Sequence, residues 1–283
     1  WRYGSFFPLK GFTVMTSVLP ESFIGKIIYL AEHYGSAYLS GAKLTLLIAL
    51  VGTAFGCLIG FVCGIVQTIP ISKNDSAPKR FVVKLAKLIL NVYVEFFRGT
   101  PMMVQAMLFY YGFIQYTAYR PTTTLAGIVV VSINTGAYMA ETMRGGIFSV
   151  DKGQTEGAKA IGMTHFQTML YIILPQAIRN IMPQIGNNLI INIKDTSVLS
   201  VISVCELMYH GKAVAGTYYT TFESFTIVSL IYLTLTFTCS RLLRLMEKHI
   251  DGADSYDLAT TDTLAHTSGM VKYPNEPKDG DLA

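Results

Sequence analysis

The sequence predicts an all-α, polytopic membrane protein, and three observations carry that prediction. Only 14% of its 283 residues are charged, against roughly 25% in an ordinary soluble domain. The apolar residues gather in continuous blocks: Leu44 to Val66, Met102 to Tyr119, Leu125 to Met143, a stretch from about Ile181 to Leu207, and Phe225 to Leu243. Finally, Lys and Arg collect in alternate inter-block segments, the pattern expected when they resist translocation.

Each block approaches the ~20 residues that span ~30 Å of hydrocarbon at 1.5 Å per residue. Continuous Leu, Ile, Val, Phe and Ala, without strict alternation, argue for helices over a β-barrel. About five spans result, with the count around residues 181 to 209 open by one. Lys73, Lys79, Arg80, Lys84, Lys87 and Arg98 lie between the first two spans. Arg144, Lys152, Lys159 and Arg179 lie between the third and fourth, and Arg241, Arg244 and Lys248 follow the fifth. The remaining loops hold little beyond Arg120 and Lys212, so the expected topology is N-terminus outside and C-terminus inside. The formal charge of +4 is mostly a topology signal, because the bases divide among loops instead of forming one nucleic-acid surface.

Along the chain, residues 1–37 are expected to form an N-terminal extracytoplasmic or interfacial segment, 38–250 the transmembrane domain, and 251–283 a disordered cytoplasmic tail. No secretory pattern is visible in residues 1 to 20. Ser22 to Tyr34 reads as a short amphipathic helix, either at the outer interface or outside the membrane. After a polar loop from Ile71 to Lys79, Lys84, Lys87, Asn91, Glu95 and Arg98 draw one polar stripe at helical spacing opposite Phe81, Leu85, Leu88, Val92 and Phe96. That helix is expected at the inner interface, bending at Gly99 and Pro101 into the second span.

No catalytic or metal constellation appears. His33, His165, His210, His249 and His266 are scattered, and Cys57, Cys63, Cys205 and Cys239 lack CxxC spacing and read as small apolar fillers. The chain has no GxxxxGK[ST] loop to cradle ATP phosphates.

The most specific segment is Asp151-KGQTEGAKAIGMTHFQTMLYIILPQ-Ala177, a basic-side loop too long to be a mere connector. Its small residues Gly157, Ala158 and Ala160 permit close approach of another surface, and Glu156 places a charge near a helix start. A short helix, a glycine turn at Gly162 and a second helix are expected. The spacing of Glu156-Gly157-Ala158, Gly162 and Ile172-Ile173-Leu174-Pro175 resembles the EAA loop of ATP-binding-cassette (ABC) importer permeases, with Gly157 standing where that pattern has Ala. Glu95-FFRGTPMMVQ-Ala106 and Lys194-DTSVLSVI-Ser203 are similar to the permeases of the polar amino-acid group, which serve histidine, glutamine, glutamate, arginine, cystine and opines. Together the matches cover about residues 38 to 248.

The resemblance implies a type I ABC importer permease-like fold in a prokaryotic-type cell membrane. The coupling loop, about 151–175, would dock on a separate ATP-hydrolysing subunit through Gln154, Glu156, Gly157, Ala158, Gly162 and Phe166. Implied partners are two ATPase subunits, an extracytoplasmic binding protein or fused domain, a second permease subunit, identical or not, and a polar amino acid. The chain would need no cofactor of its own, ATP being bound by the ATPase.

Polar side chains kept inside hydrocarbon mark either a solute path or interhelical hydrogen bonds. Gln105, Asn134, Asn188, Asn192, Lys194 and Asp195 are the principal candidates, beside Gln115, Glu141 and Asn187. Pro183 and Gly186 are expected to interrupt the fourth span. Two other readings stay open: an ABC permease for a different small polar solute, and an ATP-independent secondary transporter.

Overall fold

A computed structural model describes residues 19–71 and 76–251. The N-terminal residues and the expected tail beyond Asp251 lie outside the described residues. Among those described there is no strand. The described residues through Arg244 belong to one compact unit. Residues from Leu245 onward form a second, of which only the last turns of the final helix are described.

Helix α1 (Phe23–Thr68) runs for 46 residues without a break. The expected separate helix at Ser22 to Tyr34 is therefore the beginning of α1, and the boundary placed at residue 37 falls inside a helix. Tertiary packing explains the continuity. Leu30 and Tyr38 are buried against Leu207, Val214, Ile227 and Val228, so the N-terminal turns fill a core of their own. The Lys26 ammonium also reaches Glu223 at 3.1 Å.

Helix α2 (Ala77–Gly99) ends at the expected bend, and α3 (Met102–Thr117) starts after Pro101. Pro suits this position because a helix's first N–H groups have no intrahelical partner. Ala118, with φ 56°, stops α3 after 16 residues, about 24 Å. The apolar block from Met102 to Tyr119 thus overstates the helix, since its last residues belong to the turn.

Helix α4 (Thr123–Ser149) is the centre of the unit. It packs along α1 through a ladder of glycines one turn apart: Gly52, Gly56, Gly60 and Gly64. A Cβ built on Gly52 would stand 2.6 Å from Val131 Cγ1, one on Gly56 2.5 Å from Thr135 Cβ, and one on Gly64 2.7 Å from Met143 Cβ. At Gly60 the obstacle is Met139 Cβ together with the α4 backbone. Spacing small residues by four puts them on one helix face, so the two backbones approach closely.

Beyond α4 come α5 (Lys152–Ala160) and α6 (His165–Thr168), which passes through a π-helical turn at Met169–Ile173 directly into α7 (Leu174–Asp195). Pro183 and Gly186 do not interrupt α7, which continues through both. Proline removes one backbone hydrogen bond, but Ala177 and Ile181 before it and Asn188 after it are buried against neighbouring helices. The irregularity comes later, where Thr196–Ile202 tightens to a 3₁₀ helix and Ser203 takes φ 63°. Helix α8 (Leu207–Tyr218) follows at 54° to the rod His165–Ile202, and α9 (Thr221–Asp251) ends the described chain.

Among the described residues, three helices are long and apolar enough to cross a membrane: Phe23–Thr68, Thr123–Ser149 and Thr221–Met246. The bent pair His165–Ile202 with Leu207–Tyr218 makes a fourth if it counts as one span. The expected second span, α3, falls short of that length at 16 residues.

Candidate functional site: a capped hairpin on a helical rod

The loop after α4 is built by local rules. Asp151 caps α5 by accepting from Gly153 N at 2.6 Å. The C-terminus closes with two bonds, Met163 N to Ala158 O and Gly162 N to Lys159 O, both 3.0 Å. That pairing closes a helix through a residue in the left-handed region, and Gly162 occupies it with φ 80°. Thr164 then starts α6 with a reciprocal cap: its Oγ1 accepts from Gln167 N, and Gln167 Oε1 accepts from Thr164 N at 2.9 Å. Every joint of the hairpin is thereby fixed by a named hydrogen bond.

Gln154, Glu156, Gly157, Gly162 and Phe166 are all exposed. Ala158, expected on the same surface, is 5% exposed and belongs to the hairpin's own packing. Sequence reasoning missed Ile161, 79% exposed beside Phe166 at 73%. These two apolar side chains flank the glycine turn and leave an exposed apolar tip among polar neighbours. The signal was present in the sequence, as an apolar residue between Ala160 and Gly162.

The rod leaving the hairpin carries the buried polar residues. Asn192, 5% exposed, donates through Nδ2 to Thr53 Oγ1 at 2.7 Å and to Thr135 Oγ1 at 2.9 Å. One amide thus ties α7 to α1 and α4. Asn188 donates to Gln184 O at 3.0 Å and lies 3.4 Å from Met139 Sδ. Closer to the hairpin, Asn180 donates to Ser149 Oγ at 2.9 Å, fixing α7 to the end of α4.

Gln105 and Asn134 come together elsewhere. Gln105, 1% exposed, donates to the carbonyls of Phe97 and Thr100, each at 2.9 Å, and accepts from Asn134 Nδ2 at 2.9 Å. Its polar atoms are spent on holding the bend between α2 and α3 against α4. Lys194 and Asp195 are exposed at the end of α7, and among the described residues neither side chain makes a hydrogen bond or ion pair. The six expected path residues therefore divide into a bend clamp, an interhelical knot and an open end. Near the clamp, Glu141 pairs with Arg98 and, at 3.3 Å, with Arg144, while the Arg98 guanidinium lies 5.5 Å from the Tyr138 ring centroid.

One buried carboxylate was not anticipated. Glu206, fully buried, accepts from Met208 N at 2.8 Å, Tyr209 N at 2.7 Å and the Tyr232 hydroxyl at 2.8 Å. It caps α8 and fastens it to α9, which explains how an acid persists in an apolar environment.

Residues 76–252 match the family described as binding-protein-dependent transport system inner membrane component. The chain belongs to that family. Among similar proteins, the glutamine transport system permease protein GlnP of Escherichia coli strain K12 is 35% identical over 213 residues, covering 75% of this chain and 92% of GlnP. The octopine transport system permease protein OccM of Rhizobium radiobacter is 34% identical over 219 residues, covering 75% of this chain and 84% of OccM. A solved amino acid ABC transporter with histidines superposes with TM-score 0.69 at 33% identity, over 82% of this chain and 100% of its own. The matched region of this inner membrane component includes the hairpin, the rod, the bend clamp and Glu206.

Proposed function

We propose that this chain is the membrane-spanning permease subunit of an ATP-driven importer for a polar amino acid, acting in the cell membrane of a prokaryote. The observation that carries the reading is mechanical. A hydrogen-bonded hairpin with Ile161 and Phe166 at its tip continues, through α6 and the π turn, into the rod that buries Asn188 and Asn192 among α1 and α4. A displacement imposed on the tip acts on that rod, because Gly162 and the Thr164 cap leave no free hinge between them.

In this mechanism the hairpin seats in a groove of an ATP-hydrolysing subunit, with Gln154, Glu156, Gly157, Gly162 and Phe166 at the contact. ATP stays with that subunit, and this chain performs no chemistry and holds no cofactor. Closure of two such subunits draws the hairpins of two permease copies together and rocks the rods, switching access between the membrane faces. The amino acid arrives from an extracytoplasmic binding protein or domain. The solutes named for GlnP, OccM and the solved transporter support the solute class, and the resemblance of the segments at Glu95 to Ala106 and Lys194 to Ser203 to permeases of the polar amino-acid group supports it independently.

Co-expression with the cognate ATPase and reconstitution into proteoliposomes tests the reading. Uptake of a polar amino acid that requires ATP is expected. Glu156→Lys and Gly162→Trp should abolish it while the chain still inserts and folds. Uptake that survives both substitutions, or proceeds with no ATPase bound, overturns the proposal.

A further inference from the structure

Helix α2 carries three faces; among the described residues the bundle packs on one of them and meets the polar one only toward its C-terminal half, through Asn91 and Arg98. Toward the bundle, Leu90, Tyr93 and Val94 pack with Ile59, Cys63 and Ala140, and the Tyr93 hydroxyl donates to Ile133 O at 2.6 Å. The expected apolar stripe falls on a second face: Phe81, Leu85, Leu88, Val92 and Phe96 are each 42% to 67% exposed. Arg80, Lys84 and Lys87 lie on a third, about 100° around the helix from the second. None of these three bases makes an ion pair among the described residues. The one acid of α2, Glu95, lies eight residues beyond Lys87, and Arg98 is already paired with Glu141.

The level of the basic edge is set by α1. Gln67, next to the last residue of that apolar helix, donates to Asn91 Oδ1 at 3.1 Å. Asn91 is therefore level with the end of a candidate span. Lys87, Lys84 and Arg80 run on from it by about 6 to 17 Å at helical rise, past the level where the apolar helix stops. An apolar face with a basic edge, joined at the terminus of a span, suits a helix at the boundary between acyl chains and headgroups.

We infer that Arg80, Lys84 and Lys87 bind the anionic headgroups of a phospholipid surface, with the exposed apolar face of α2 among the acyl chains beside them. Charge complementarity selects this occupant: three unpaired cations beside an apolar strip fit a layer of phosphates above hydrocarbon. The inference rests on the membrane reading of the fold but needs no transport cycle.

The full chain, purified in detergent and offered equal amounts of phosphatidylglycerol and phosphatidylcholine, is examined by native mass spectrometry for retained lipid. Wild type should retain phosphatidylglycerol in preference, and the preference should weaken as salt shortens the Debye length. The variant R80Q/K84Q/K87Q should lose it, by roughly 5-fold per charge removed at low salt, whereas Arg80→Lys should keep it. Arg80 and Lys84 are exposed and Lys87 is half-buried, and circular dichroism verifies that the variant stays helical. Equal retention of both lipids by wild type overturns the inference, as does an unchanged preference in the triple variant. So does a triple variant that keeps its lipid preference but no longer binds the ATPase, which would assign the edge to a protein. Lipid retention is read without solute or ATP, so its failure leaves the transport reading standing, and the converse holds.

Discussion

The hairpin after α4 and the contact between α1 and α4 both depend on glycine, for opposite reasons. In the hairpin, Gly162 supplies a left-handed backbone in open space: a Cβ there would meet nothing within 4 Å. Along α1, Gly52, Gly56, Gly60 and Gly64 keep ordinary helical backbone and supply missing volume, because a Cβ at each would collide with α4. A glycine needed for its φ shapes a short surface element, whereas one needed for its absent side chain sets the distance between two long helices. Substitution should separate the two roles.

The largest effect is expected at Gly60→Leu. Overpacking a tight contact typically costs ~1 to 3 kcal/mol and sometimes more, and here the obstacle includes α4 backbone that cannot rotate away. Loss of monodisperse protein, or a melting temperature in detergent well below wild type, is the expected readout. A near-normal melting temperature would mean that α1 and α4 are not held at this distance.

Next comes Asn192→Leu, which removes both bonds from α7 to α1 and α4. Interhelical side-chain bonds contribute ~0.6 to 2 kcal/mol, so a measurable fall in thermal stability is expected. Thr53→Val and Thr135→Val should each reproduce part of it, and the double variant should be less than additive with Asn192→Leu. Full additivity would show that the three side chains do not act as one knot.

Gly162→Ala should cost ~1 to 2 kcal/mol of local strain, confined to a hairpin that contributes little to the melting of the bundle. ATPase coupling should fall steeply while the melting temperature hardly moves. Phe166→Ala should behave likewise, with stability within ~0.5 kcal/mol of wild type and a several-fold loss of ATPase affinity, measured by titrating the partner onto the chain in nanodiscs. The smallest effect belongs to Gly157→Ala, where a Cβ meets nothing within 4 Å. Helix propensity alone then favours alanine by up to ~1 kcal/mol, and coupling should persist or improve. Lost coupling in this variant would show that the partner's groove requires a bare backbone at position 157.

The sequence by itself determined the helical class, the apolar blocks, the bend at Gly99 to Pro101 and the helix, glycine turn and helix of the hairpin. These depend on neighbouring residues: composition, a proline, a cap, a left-handed glycine. Tertiary structure decided the rest. It merged the stretch from Ser22 with α1 by giving Leu30 and Tyr38 partners from α8 and α9, and it carried α7 through Pro183. It also divided a row of similar Asn and Gln residues into a bend clamp at Gln105 and an interhelical knot at Asn192. Spacing along one helix names the face on which a polar group lies, but its hydrogen-bond partner belongs to another helix, 139 residues away in the case of Thr53 and Asn192. Only the packing of α1, α4 and α7 brings such partners within bonding distance.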